Sequence, residues 1–168
     1  LTVEEFKKQL DDNTIILDTR NASLFTQGFV PGSISIGLED RYAEWAGSLL
    51  SFNTPILLVT EPGKEKESIV RLARVGFDKM KGYLAGGFDA WKNAGMEVDK
   101  IERVTAEQLA EILAKNPKAP VIDVRKQSEY GSEHLLDVEN APLDSINESM
   151  LSIPKDQPVY IHCAGGYR

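Results

Sequence analysis

Cys163 is the single cysteine in a chain of 168 residues. It follows the apolar run Val159-Tyr160-Ile161 and opens the segment Cys163-Ala164-Gly165-Gly166-Tyr167-Arg168. A short apolar run rich in β-branched residues reads as a strand, and in an α/β sheet ligands bind beyond the carboxyl ends of strands. Ala164, Gly165 and Gly166 carry little or no side chain, so the main chain is free to curl and aim amide N–H groups at the sulfur, as anion-binding nests do. A helix after the loop would add its amino-terminal dipole. Arg168 brings a permanent cation to the far end. Each feature favours thiolate over thiol, and the thiolate is the nucleophile. The competing expectation for a lone cysteine is inert packing as a small hydrophobe. The glycines, the arginine and the strand end weigh against it.

The elements that must hold this loop occur twice. Thr2-Val3-Glu4-Glu5-Phe6 parallels Thr105-Ala106-Glu107-Gln108-Leu109, and Ile16-Leu17-Asp18-Thr19-Arg20 parallels Val121-Ile122-Asp123-Val124-Arg125. Ser35-Ile36-Gly37-Leu38 parallels Asn140-Ala141-Pro142-Leu143, and Pro55 to Thr60 parallels Pro158 to Cys163. The offset is 103 at Thr2/Thr105 and Thr60/Cys163, and 105 at Asp18/Asp123 and Leu38/Leu143. Small length changes of this kind belong in surface loops. Each copy opens with a capping box, Thr2 with Glu5 and Thr105 with Gln108. An apolar stripe follows at helical spacing, Phe6 and Leu10, or Leu109, Ile112 and Leu113.

Apolar runs without polar alternation follow at Thr14–Leu17 and Ile56–Val59, and again at Val121–Val124 and Val159–Ile161. Such runs suit strands buried on both faces of a parallel sheet. The first copy continues with an expected helix from about Ile69 to Val75 and a strand at Met80–Leu84. Gly86-Gly87 and a helix carrying Phe88 and Trp91 then follow. Strand and helix alternate, which predicts α/β units with a parallel sheet covered by helices on both faces. The expected division is 1–100 and 101–168. Beyond Thr60 the first copy runs about 38 residues further, whereas five follow Cys163. The second copy is therefore expected to be incomplete at its carboxyl end, and the absence of an initiating Met leads us to expect a longer natural chain.

Composition narrows the function classes. Hydrophobic residues make up 42% and charged residues 27%, which excludes a disordered or collagen-like chain. The net charge of -7 and pI near 4.9 argue against a nucleic-acid or anionic-membrane surface. No apolar run approaches a bilayer span and no signal-peptide pattern is present, so a reduced, cytoplasmic protein is expected. His134 and His162 lack the neighbouring ligands of a metal site. No metal or cofactor is implied. His162, beside the cysteine, is placed to tune its pKa, although a strand-end histidine is more often only packed, and Arg125 with Glu129 reads as an ion pair that fixes a loop.

Asp123-Val124-Arg125, Glu129-Tyr130, His134, Asn140-Ala141-Pro142-Leu143 and the Cys163–Arg168 loop together resemble the rhodanese family. Gly82-Tyr83-Leu84-Ala85-Gly86-Gly87-Phe88-Asp89-Ala90-Trp91 in the first copy resembles the family's later signature, so the likeness is to a tandem pair. It implies a sulfurtransferase with Cys163 as catalytic residue. Ala164, Gly165, Gly166, Tyr167 and Arg168 would be the substrate-binding loop, with Asp123, Arg125, Glu129 and His134 as structural support. The implied reaction moves a sulfane sulfur from thiosulfate or a persulfide, through a Cys163 persulfide, to a thiol or cyanide. No second cysteine is available to resolve the persulfide, so the acceptor must come from outside. Related phosphatases and arsenate reductases use a loop one residue longer between cysteine and arginine; the tighter loop here suits a terminal sulfur.

Thr60 stands at the Cys163 position of the first copy, in Glu61-Pro62-Gly63-Lys64-Glu65-Lys66-Glu67. It forms no thiolate, the three carboxylates repel an anionic donor, and Pro62 removes an amide. This copy reads as non-catalytic. The alternative for the whole chain is a non-catalytic interaction module of a larger sulfide-metabolising enzyme. An unreactive copy followed by a cysteine-bearing one also resembles the carboxyl-terminal part of metallo-β-lactamase-fold persulfide dioxygenase fusions. That likeness implies an upstream metallo-β-lactamase-fold domain as partner in the same chain, which would carry any iron site.

Overall fold

The structure, a computed structural model, describes residues 1–39 and 41–166. The chain divides into two compact units, Leu1–Glu102 and Arg103–Arg168.

The first unit runs α1 (Val3–Gln9), β1 (Ile15–Asp18), α2 (Ala22–Gln27), β2 (Ile34–Ser35), α3 (Tyr42–Leu49), β3 (Ile56–Val59), α4 (Glu65–Ala73), β4 (Met80–Tyr83) and α5 (Gly87–Asn93). The Thr2 capping box forms reciprocally: Glu5 N–H donates to Thr2 Oγ1 at 3.2 Å and Thr2 N–H to Glu5 Oε2 at 2.8 Å. All strands are parallel, in the order β2-β1-β3-β4. Successive strand residues face opposite sides, and the core divides accordingly. Leu17, Ile56 and Leu58 pack with Tyr42 and Ala46 of α3 and Leu72 of α4. Ile16, Leu57 and Val59 pack on the other side with Val3 and Phe6 of α1 and Trp91 of α5. Helices therefore cover both faces of the sheet.

Helix α4 begins four residues before the expected Ile69 and ends two before Val75. The charged run at Lys64–Glu67 supplies its cap and first turn, where Glu65 and Glu67 meet the positive end of the helix dipole. Gly86 and Gly87 mark a close approach rather than a simple turn. Gly87 sits at φ 58°, and a Cβ there would lie 2.6 Å from the Thr60 carbonyl oxygen.

The second unit runs α6 (Ala106–Lys115), β5 (Val121–Asp123), α7 (Gln127–Ser132), β6 (Glu139–Asn140), a 3-10 turn at Leu143–Ser145, α8 (Ile146–Ser149) and β7 (Tyr160–His162). Its parallel sheet has the order β6-β5-β7 among the described residues. The registers repeat those of the first unit. Leu17 pairs with Leu58 and Ile34, while Ile122 pairs with Ile161 and Glu139. The burial does not repeat. Leu58 is 0% exposed between β1 and β4, whereas Ile161, on a strand with one described neighbour, is 60% exposed. Ile122, Val124 and Ala141 form the buried cluster of this unit, and α6 places no residue in full burial.

Candidate functional site

Cys163 follows the last residue of β7, so strand register decides where its side chain goes. The thiol is half-buried and packs against the Ile122, Val124 and Ala141 cluster. Gly166 N–H donates to Cys163 Sγ at 3.0 Å. Ala164, Gly165 and Gly166 are exposed. Among the described residues one loop amide, that of Gly166, reaches the sulfur, where a ring of several was expected. Tyr167 and Arg168, assigned to the same loop from the sequence, lie outside the described residues.

Gly166 aims its amide inward because it sits at φ 72°, a left-handed conformation that costs other residues about 1–2 kcal/mol. A Cβ at this position would also lie 3.3 Å from Arg103 Nη2. Gly166→Ala is therefore expected to slow alkylation of Cys163 by iodoacetamide about tenfold, with the melting temperature of the chain unchanged. An unaltered alkylation rate would show that the inward amide does not matter.

The supporting residues form a connected set around the end of β5. Asp123 is fully buried and receives Arg125 N–H at 2.9 Å, Nε at 3.0 Å and Nη2 at 2.7 Å. Burial pushes the Asp123 carboxyl up, and the Arg125 hydrogen bonds with the His162 and Arg125 charges outweigh it, so it stays below the usual aspartate range. The hydrogen bond to Asp123 correspondingly raises Arg125. Arg125 Nη2 also donates to the Glu133 carbonyl at 2.7 Å. Glu129 Oε2 accepts from Lys126 N–H at 3.0 Å and caps α7. His134 stacks on Tyr130 with ring centroids 3.9 Å apart, and its Nδ1 lies 2.8 Å from the Tyr130 carbonyl oxygen. These contacts hold the segment after β5 in place.

Two residues noted in the sequence but not assigned to the site also join this set. Asn140 Nδ2 donates to the carbonyls of Asp123 and Arg125 at 2.8 and 3.0 Å, joining β6 to the loop after β5. His162 Nε2 lies 3.6 Å from Asp123 Oδ2. The strand register sets His162 opposite Asp123 as it sets Val59 opposite Asp18, a pairing that no spacing within the sequence gives by itself.

The first unit repeats the framework without the cysteine. Asp18 receives Arg20 N–H, Nε and Nη2 as Asp123 does, and Arg20 Nη2 donates to the Gly28 carbonyl at 2.8 Å. Phe25 and Phe29 stack at 4.2 Å where the second unit has Tyr130 and His134. Gly63 sits at φ 83°, matching Gly166, but its amide donates to the Glu65 carboxylate at 3.2 Å. A side chain of the same unit takes up the amide that would meet a bound anion, and buried Thr60 supplies a hydroxyl in place of sulfur.

A sequence profile of the rhodanese-like domain matches residues 2–94 and again 105–168. The chain is 37% identical over 51 residues to the uncharacterized protein YqhL of Bacillus subtilis, covering 30% of this chain and 40% of that protein. Among solved structures, the rhodanese-like domain of the Alr3790 protein from Anabaena sp. is 25% identical with a TM-score of 0.54, over 63% of this chain and 83% of that one. Thiosulfate sulfurtransferase from Pseudomonas aeruginosa is 20% identical with a TM-score of 0.50, over 98% of this chain and 36% of that one. At that identity the likeness is one of fold.

Proposed function

The chain belongs to the rhodanese-like family, with two copies of its domain, and from that premise we propose that the second copy is a sulfurtransferase acting through Cys163. The observation that carries this reading is the Gly166 amide turned onto Sγ in a loop at the carboxyl end of a parallel strand. A hydrogen bond from a fixed amide stabilises negative charge on sulfur before and after the reaction. The Cys163 thiolate attacks the outer sulfur of thiosulfate, forming an S–S bond as the donor's own S–S bond breaks and sulfite leaves with the electron pair. The persulfide then passes its outer sulfur to an external thiolate or to cyanide, giving a persulfide or thiocyanate and regenerating the thiolate. This is covalent catalysis in two half-reactions. The first copy, whose loop amide holds Glu65, serves as a scaffold.

The experiment is mass spectrometry of the intact chain after thiosulfate treatment and desalting. A gain of about 32 Da on Cys163, reversed by cyanide, is expected for a protein persulfide. An unmodified Cys163 overturns the assignment. A second reading, a non-catalytic interaction module, draws on the packing of Cys163 against Ile122, Val124 and Ala141, and that result would favour it. The single free cysteine suits a reducing, cytoplasmic setting. The order of an unreactive and a cysteine-bearing copy supports an upstream metallo-β-lactamase-fold persulfide dioxygenase domain in the same chain. A His-rich metal motif in the reading frame before Leu1 is the expected finding.

A further inference from the structure

In the first unit β3 is held by β1 on one side and β4 on the other, and its last residue, Val59, is fully buried. In the second unit, among the described residues, β7 pairs with β5 alone. His162 occupies the place of Val59, opposite Asp123 in the register. Its Nε2 is shut off from solvent without a hydrogen-bond partner among the described residues, 3.6 Å from the Oδ2 of a fully buried carboxylate. That distance is beyond hydrogen-bond range, so a hydrogen bond between them requires the ring to turn toward the carboxylate. A desolvated nitrogen facing a carboxylate is unfavourable unless it carries a proton to donate. Apolar Val59 has no such requirement, so the polar group appears in the copy with the cysteine.

We propose that His162 is a positioning residue for Cys163: its Nε2–H, donated to Asp123 Oδ2, ties the end of β7 to β5 and fixes where the reactive loop begins. The charged groups involved are Asp123 and Arg125, which shares the same carboxylate oxygen. Among the described residues the imidazole makes no hydrogen bond to Sγ or to Gly166. It acts through the main chain, where the His162 carbonyl accepts Val124 N–H at 3.0 Å. The effect on sulfur transfer rests on the proposed function, whereas the effect on the loop does not.

The test uses the full chain with His162→Val, His162→Asn and His162→Gln. The glutamine amide reaches approximately the place of Nε2, while asparagine is too short and valine has no donor. Iodoacetamide alkylation of Cys163 at neutral pH and persulfide formation from thiosulfate are measured beside a thermal melt. Valine and asparagine are expected to slow both reactions about tenfold, and glutamine to restore them to within about twofold of the parent. Equal rates in all variants overturn the proposal, as does glutamine behaving like asparagine. If valine unfolds the unit, the glutamine and asparagine pair still decides. If the parent forms no persulfide, the functional reading fails while the alkylation rates decide the role of His162.

Discussion

Cys163→Ser is expected to lower thiocyanate production from thiosulfate and cyanide by at least about a thousandfold, to the uncatalysed background. A serine hydroxyl is not ionised at neutral pH and cannot store a sulfur as persulfide, so the loss is chemical rather than structural. Because Cys163 is half-buried at the margin of its cluster, the melting temperature should hold. Adding Thr60→Cys to that variant should not rescue transfer. The side chain at position 60 is buried, and the Gly63 amide that would face the sulfur is held by Glu65. Activity surviving in the serine variant would move the chemistry away from this loop.

Asp18→Ala is expected to be the most damaging single change to the first unit. The carboxylate is fully buried and takes three donors from Arg20, itself 7% exposed. Among the described residues, its removal leaves the guanidinium the Gly28 carbonyl at 2.8 Å and the face of Phe88 at 4.3 Å. Breaking one side of such a pair costs about 3–5 kcal/mol, a large share of the ~5–15 kcal/mol that holds a domain together. At roughly 4–8 °C per kcal/mol for a unit of this size, the first transition in a circular-dichroism melt should fall by about 12 °C or more. Asp123→Ala should cost roughly half as much, because the Arg125 side chain is 20% exposed and water can take over part of the lost contact. Replacing both partners, Asp18→Ala with Arg20→Met, should recover most of the loss. A double variant no more stable than the single one would show that Arg20 matters for more than its partner.

The parts of this structure most readable in the sequence are those governed by local rules. Thr2 with Glu5 and Thr105 with Gln108 satisfy amides within one turn, so their spacing sufficed to place both capping boxes. Ile56–Val59 appears as β3 with the expected bounds, because an unbroken apolar run admits few alternatives. The start of α4 is less clear, since Lys64–Glu67 has no apolar stripe, Lys64 makes no side-chain capping bond, and only the first-turn carboxylates Glu65 and Glu67 mark it as helical. The short strands β2 and β6 are two residues each and depend on pairing with β1 and β5; no periodicity marks them. In the site, Cys163 and its glycines announced themselves by type. The His162–Asp123 approach and the Glu65–Gly63 hydrogen bond are properties of folded neighbours, visible only once strands and loops are set side by side.

The left-handed glycines Gly63 and Gly166 each lie in the loop after a strand, at nearly the same φ, yet one amide faces a carboxylate and the other a sulfur. The molecule thus carries its own spectroscopic reference. In a nitrogen–proton correlation spectrum, whatever a sulfur donor does to bulk conditions moves both glycine resonances together, and only what happens at Cys163 separates them.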